Sequence, residues 1–279
     1  TLGAFGALYC AIVLQWPWYL CLLAAMLFGA IWGALPGIFK AYLNINEVIT
    51  AIMFNWIGLY MVNDIMYGKG KSPMYDLAST KTYSLRKAAP QAMIPSLGMS
   101  ELFGKLQSVT IAIFIAIFFA IVVYIILNKT AFGYELRACG FNKNAARYAG
   151  INEKRNIILA MMISGALAGV GAGLYYLSTV AEWNPQVSTA LPAMGFNGIS
   201  TALLACSNPI GTIFSSLFIS YITVGGTKLS TQYYTKEIAD VITALIIYLC
   251  AFSLLFKNKI RALLVGKAKR VSVGKGGDD

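Results

Sequence analysis

The stretch Gly140–Gly173, GFNKNAARYAGINEKRNIILAMMISGALAGVGAG, changes character halfway along its length. Its first half is polar and basic. From Ile157 onward it is uncharged and long enough for a helix, with glycines at 165, 169 and 173 falling one per turn on a single face. Inside lipid, helices are held together by close packing and not by the hydrophobic effect, and small residues at four-residue spacing let two backbones approach. The stretch therefore predicts a water-side handle joined to a membrane-packed rod, with Gly165, Gly169 and Gly173 as the packing face. A glycine-rich span of no special role would show the same spacing, so the surroundings of the stretch must decide.

Those surroundings belong to a membrane protein. The chain of 279 residues is 58% hydrophobic and only 12% charged, with a mean hydropathy of +0.68, whereas soluble domains are roughly a quarter charged. The expected class is all-α, a polytopic transmembrane bundle in the lipid bilayer. A net charge of +11 fits basic loops on one side of that bilayer. With no aromatic-basic interleaving, no nucleic-acid partner is expected. The five cysteines are scattered without metal spacing, and the absence of histidine removes the Ser-His-Asp triad and the histidine-based zinc sites. No metal site and no cofactor is expected. Residue 1 is Thr within an apolar run, so the N-terminus is expected to be a cut one.

About eight spans are visible. Thr1 to Phe39 is free of charge and broken at Gln15-Trp16-Pro17-Trp18 into a partial and a full span, followed by a polar turn from Lys40 to Glu47. Further spans are expected at 48–66, 108–127, 157–177, 192–206, 210–226 and 238–256, each set against the roughly 20 residues a crossing needs. Cys206-Ser207-Asn208-Pro209 is the expected reversal between two of them. Residues 1–265 then form the transmembrane domain, 68–107 an external loop or small lid, 128–156 the handle, and 266–279 a basic cytoplasmic tail expected to be disordered. Fourteen of the 22 basic residues fall on the side of the handle and tail, which places that side in the cytoplasm.

Signals for bond chemistry are weak. Gly68-Lys69-Gly70-Lys71-Ser72 imitates a phosphate loop but has Ile65 where the first glycine is required. Gly169, Gly171 and Gly173 imitate a dinucleotide loop without a preceding strand. Polar residues within spans are costly unless they face a partner or water. Glu47, Ala51 and Asn55 recur at four-residue spacing and make one polar-tending stripe, which fits a translocation path or an interhelical hydrogen bond. Glu237 and Asp240 mark the outer end of the last span, and Glu182-Trp183-Asn184-Pro185 an external turn.

The handle is the strongest constellation. Asn142 is placed to cap a short helix whose Ala145-Ala146 face would meet a partner, with Arg147, Lys154 and Arg155 supplying charge. Gly140 to Ile151, with Ile163 to Gly169 (ISGALAG), resembles the cytoplasmic coupling region of ABC-importer permeases of the branched-chain amino acid and sugar group. Asn46-Glu47-Val48-Ile49-Thr50, Met53-Phe54-Asn55-Trp56, Gly195-Phe196-Asn197-Gly198-Ile199 and Asn208-Pro209-Ile210-Gly211 look most like the nucleoside and simple-sugar permeases within it.

The resemblance implies an all-helical permease in the cell membrane that pairs with a second, homologous permease. It would bind an ABC ATPase subunit, which holds the ATP, and receive nucleoside or sugar from an external substrate-binding lipoprotein. Asn142, Ala145, Ala146, Arg147, Gly150 and Ile151 would then dock on the ATPase. Lys143 stands where a proline is common in the family. Glu47, Asn55 and Asn197 are the expected path residues. The chain would be a transport subunit and no enzyme. Ribose-type sugars and branched-chain amino acids compete with nucleosides as substrate. A stand-alone secondary transporter would need paired intramembrane carboxylates, while the acidic residues here mostly sit at span ends.

Overall fold

A computed structural model describes residues 1–67, 73–76, 81–82, 84–96, 110–180, 182–183, 193–228 and a few positions between 238 and 249. The chain divides into two compact units, Thr1–Pro192 and Ala193–Asp279. The first contains α1 (Leu2–Ile12), α2 (Trp18–Leu43) and α3 (Glu47–Tyr67), then a ribbon of β1 (Tyr75–Asp76) and β2 (Lys81–Thr82) with the short α4 (Leu85–Ala88). After it come α5 (Ala112–Lys129), α6 (Ala131–Phe141), α7 (Lys143–Tyr148) and α8 (Glu153–Leu177). The second holds α9 (Ala193–Leu204) and α10 (Pro209–Lys228). Five of these helices, α2, α3, α5, α8 and α10, are long and apolar enough to cross a membrane.

One boundary differs from the hydropathy reading. The turn expected from Lys40 is shorter, because α2 runs on to Leu43 and stops at Asn44, whose φ of 51° is left-handed. Lys40 is tolerated in that last turn, where a cation suits the carbonyl end of a helix, and it pairs with Glu47 at 2.5 Å. The described part of the segment 192–206, expected as a span, contains the helix α9. The helix ends because Cys206 and Ser207 both take positive φ, 51° and 58°. Asn208 then starts α10, its Oδ1 accepting from Ile210 N at 3.0 Å. The span expected at 238–256 falls largely outside the described residues. So do Lys69, Glu237, Asp240 and the whole of 266–279.

The centre of the first unit is the antiparallel pair α2 and α8. On α2, Ala25, Gly29, Gly33 and Gly37 form a ladder of small residues; on α8 the facing rungs are Gly173, Gly169, Gly165 and Met161. A Cβ on Gly33 would sit 2.8 Å from Gly165 Cα, and one on Gly29 would sit 3.0 Å from Gly169 Cα. No real Cβ tolerates the shorter approach, so glycine is required wherever the two backbones touch. Helix α1 packs on both: a Cβ on Gly3 would come within 2.5 Å of Gly169 Cα.

The end of this trio beside the α8 C-terminus is covered by the described part of the 68–107 loop. Ile94 N donates to Leu177 O at 3.2 Å and Thr82 N to Trp183 O at 3.0 Å. Gln91 Nε2 donates to Gln15 O at 2.8 Å. Met74, Leu85, Ala92 and Ile94 are buried and join Leu8, Leu174 and Leu177 in one core. The described part of the loop is thus a seated cap, held by these hydrogen bonds and an apolar underside.

A side chain forced into the glycine contact should separate the two central helices. Gly165→Val should cost about 3 kcal/mol, the upper part of the range for overpacking, and lower the thermal midpoint of the detergent-solubilised protein by several degrees. Gly171 has open space around its Cα, so Gly171→Ala should be neutral or slightly stabilising. Equal midpoints for wild type and Gly165→Val would show that the backbone contact does not hold the pair.

Candidate functional site

The handle is built from two helices clamped end to end. At its start Thr130 caps α6, with Oγ1 accepting from Gly133 N at 3.1 Å and donating to Ile126 O at 2.6 Å. Arg137 Nη1 donates to Asn128 Oδ1 at 3.2 Å, fixing α6 to the end of α5 a second time. Helix α7 then has only six residues, too few to persist alone in water. Its ends explain its presence. Asn142 Oδ1 accepts from Asn144 N at 3.0 Å and from Ala145 N at 3.2 Å, which satisfies two donors that a helix start leaves open. At the other end Gly150 takes φ +79°, Gly150 N donates to Arg147 O at 3.1 Å and Ile151 N to Ala146 O at 3.0 Å. That pair of bonds around a left-handed glycine is a Schellman closure.

The six candidate docking residues therefore have different surroundings. Asn142, Gly150 and Ile151 supply the cap and closure of α7. Ala146, expected to face a partner, is only 3% exposed and turns into its own chain. It occupies the position that this closure brings close to the residue after the glycine, here Ile151. Ala145 and Arg147 are exposed. Beside them stand two aromatics that hydropathy did not single out, Phe141 at 91% and Tyr148 at 95% exposure.

The handle is bolted to the rod below it. Asn152 caps α8, accepting from Arg155 N at 3.1 Å. One turn on, Asn156 is 2% exposed. Its Nδ2 donates to Glu135 Oε2 at 3.2 Å and to Cys139 Sγ at 3.7 Å, both on α6. Lys154 Nζ lies 5.0 Å from the ring centre of Tyr42 at the end of α2, so the same end of the bundle also carries a cation-aromatic contact.

Farther along α8 there is a cavity of about 260 Å³, lined by the glycine ladder together with Trp32, Ala51, Asn55 and Ser164. Asn55 is exposed there. Trp32 Nε1 donates to Phe54 O at 3.3 Å, and the two rings meet edge to face at 5.5 Å, which fixes one wall. The expected stripe is thus divided: Ala51 and Asn55 line the cavity, whereas Glu47 is ion-paired to Lys40 at the helix turn. Asn197 lies on α9, in the second unit. Ser164 is a lining hydroxyl that serine's small size hid within the glycine-rich run. Among the described residues no group of three or more His, Cys, Asp or Glu side chains is placed to hold a metal.

Comparisons with known proteins agree on one family. The pattern of the family described as "Branched-chain amino acid transport system / permease component" matches residues 1–251. The chain is 32% identical to the nucleoside ABC transporter permease protein NupB of Lactococcus lactis subsp. cremoris, over 92% of this chain and 69% of that one. It is 31% identical to the guanosine ABC transporter permease protein NupP of Bacillus subtilis, over 90% of this chain and 68% of the relative. A glucose ABC transporter permease protein of Haloferax volcanii is 24% identical, over 92% of this chain and 68% of its own. No solved structure matches the chain at a significant level.

The closures of α7 can be read out directly. Asn142→Ala should cost the helix about 1 kcal/mol. Gly150→Ala, which puts a Cβ on a left-handed residue, should cost about 1–2 kcal/mol. Amide hydrogen exchange should speed up several-fold across 143–149 in both variants while the 165–177 segment stays protected. Unchanged exchange in 143–149 would mean that neither closure holds the helix.

Proposed function

Because the chain belongs to the family of branched-chain amino acid transport system permease components, we propose that it forms the nucleoside path of an ATP-driven importer and takes its motion from a separate ATPase through α7. Membership makes it a multi-pass membrane transport subunit, and in this family an ATPase and a substrate-binding partner are general. The nucleoside reading is supported by the relatives: those above 30% identity are named for nucleoside and guanosine, the glucose permease stands at 24%. In this reading a second, homologous permease completes the path, and an external lipoprotein delivers the substrate.

The observation that carries the coupling role is the shape of the handle. A six-residue helix closed at both ends is rigid enough to take a push; it presents Ala145, Arg147 and the ring of Tyr148 outward, beside the exposed ring of Phe141 at the end of α6. Aromatic and arginine side chains are the commonest anchors of protein interfaces. With the handle in the cytoplasm, as the excess of basic residues on that side favours, this surface meets the ATPase. Asn142, Ala146, Gly150 and Ile151 shape it, and Ala145 and Arg147 touch the partner. Closing of the ATPase dimer would move α6 and α7, and α8 would carry that movement to the cavity at Asn55, opening the path alternately to either side. Asn55 and Asn197 offer amides to a passing polar solute. Their weak hold suits conduction, since a deep well would stall release.

The test is uptake of labelled guanosine and of labelled ribose into proteoliposomes holding the complete complex. ATP-dependent guanosine uptake is expected, with ribose uptake at background. Asn55→Leu should lower uptake at least about tenfold, the loss of one hydrogen bond to a polar group, with the complex still assembled. Arg147→Glu should release the ATPase without lowering the melting temperature of the permease. Ribose uptake equal to guanosine uptake would replace the nucleoside reading by the sugar one; uptake without ATP would overturn the coupling reading.

A further inference from the structure

We infer that the buried amide of Asn156 is the joint through which α6 moves α8, and that Asn156 and Glu135 are positioning residues for energy coupling. This rests on the coupling reading above and names the contact that the reading leaves open. Helix α6 meets the rest of the first unit at two kinds of site. At one end Thr130 and Arg137 tie it to the end of α5. Along its length Asn156 reaches it from the first turns of α8, donating to Glu135 Oε2 at 3.2 Å and Cys139 Sγ at 3.7 Å.

The chain connection between α7 and α8 is a poor conductor of a push by comparison. Beyond the closure at Gly150 and Ile151 it runs through the extended Asn152, a corner whose backbone angles can absorb a small rotation. The amide contact has no such slack. Asn156 is 2% exposed, so water cannot replace a stretched bond, and a bond to a carboxylate is among the stronger ones. Cys139 is 7% exposed and packs at the same point. A displacement of α6 that kept this bond would carry the N-terminal half of α8 with it, and with α8 the glycine contact to α2. A displacement that broke it would leave the buried amide of Asn156 without its carboxylate partner, which is unfavourable. The bond therefore makes the rigid transfer the easier movement.

Three variants of the complete complex in proteoliposomes separate this joint from simple structural support. The quantity read is guanosine transported per ATP hydrolysed, which does not depend on how much complex survives. Glu135→Gln still offers an oxygen to Asn156, and its ratio should stay within about twofold of wild type. Asn156→Asp sets two carboxylates against each other, and the ratio should fall about fivefold or more, the lower end of ordinary coupling energies. Asn156→Asp with Glu135→Gln restores a donor and an acceptor with the roles exchanged, and the ratio should return to within about twofold of wild type.

An unchanged ratio in Asn156→Asp would overturn the joint, leaving the chain connection as the route. If Asn156→Asp fails to assemble, the exchanged pair decides: recovered assembly with a wild-type ratio supports the joint, and recovered assembly with a low ratio assigns the bond to folding alone and overturns it. A wild-type complex that takes up no guanosine with ATP would sink the importer reading instead, an outcome the wild-type control reports separately.

Discussion

Everything in the first unit depends on the backbone contact between α2 and α8. Lipid tails are as apolar as leucine, so burying a side chain between two spans gains little from the hydrophobic effect. What remains is close packing, and the strongest version brings two helix backbones together over several turns. Gly29 and Gly33 against Gly165 and Gly169 do this, and α1 adds Gly3 to the same contact. A contact made by backbones has no side-chain slack. It cannot repack around a sliding partner in the way that leucines can, so α1, α2 and α8 are expected to move as one body, and the parts that move against them must lie elsewhere.

The lighter contacts mark where. Helix α5 has the highest mean hydropathy of the five candidate spans and none of its window is buried within the chain. Helix α3 touches α2 through aromatic contacts, Trp32 and Phe39 against Phe54; its second half buries Leu59, Val62 and Met66, whereas Ile49, Ile52 and Met53 in its first half face outward. Between α3 and the central pair lies the cavity with Asn55. In the proposed path a rigid glycine wall faces the exposed first half of α3, so the opening can change width there without disturbing the core that holds Val62 and Met66. The cap at the other end of α8 is fastened to the same rigid body by Ile94 and Trp183, so it would move with the wall.

Much of this was legible beforehand, and the omissions have physical causes. The ridge at 165, 169 and 173 is visible because a helix repeats nearly every four residues, but a period cannot name the partner. The matching ladder on α2, Ala25, Gly29, Gly33 and Gly37, has the same spacing in a run that reads only as apolar. Asn142 as a cap could be read from residue type and position. The inward turn of Ala146 could not, since six residues make fewer than two turns and give no phase. The reversal before α10 was legible in the run Cys206-Ser207-Asn208-Pro209, and the left-handed pair at Cys206 and Ser207 stands there. Asn156 was passed over because its partner stands 21 residues away, and a polar residue at a span's edge needs no explanation until burial is known.

The same reasoning bears on the motif itself. Of the six handle residues that resemble the family's coupling region, Asn142, Gly150 and Ile151 form the ends of α7 and Ala146 is buried beneath it. A recognisable pattern here is therefore mostly a pattern for making a small rigid helix, and only its outward positions are free to suit one partner or another. Such an arrangement separates two requirements. In the proposed coupling role the helix must keep its shape under load, which calls for caps and closure, while the surface at Ala145, Arg147 and Tyr148 needs only to match what it meets. In that role, changes at the outward positions would alter the choice of partner without loss of the lever, whereas changes at the caps would weaken it for every partner alike.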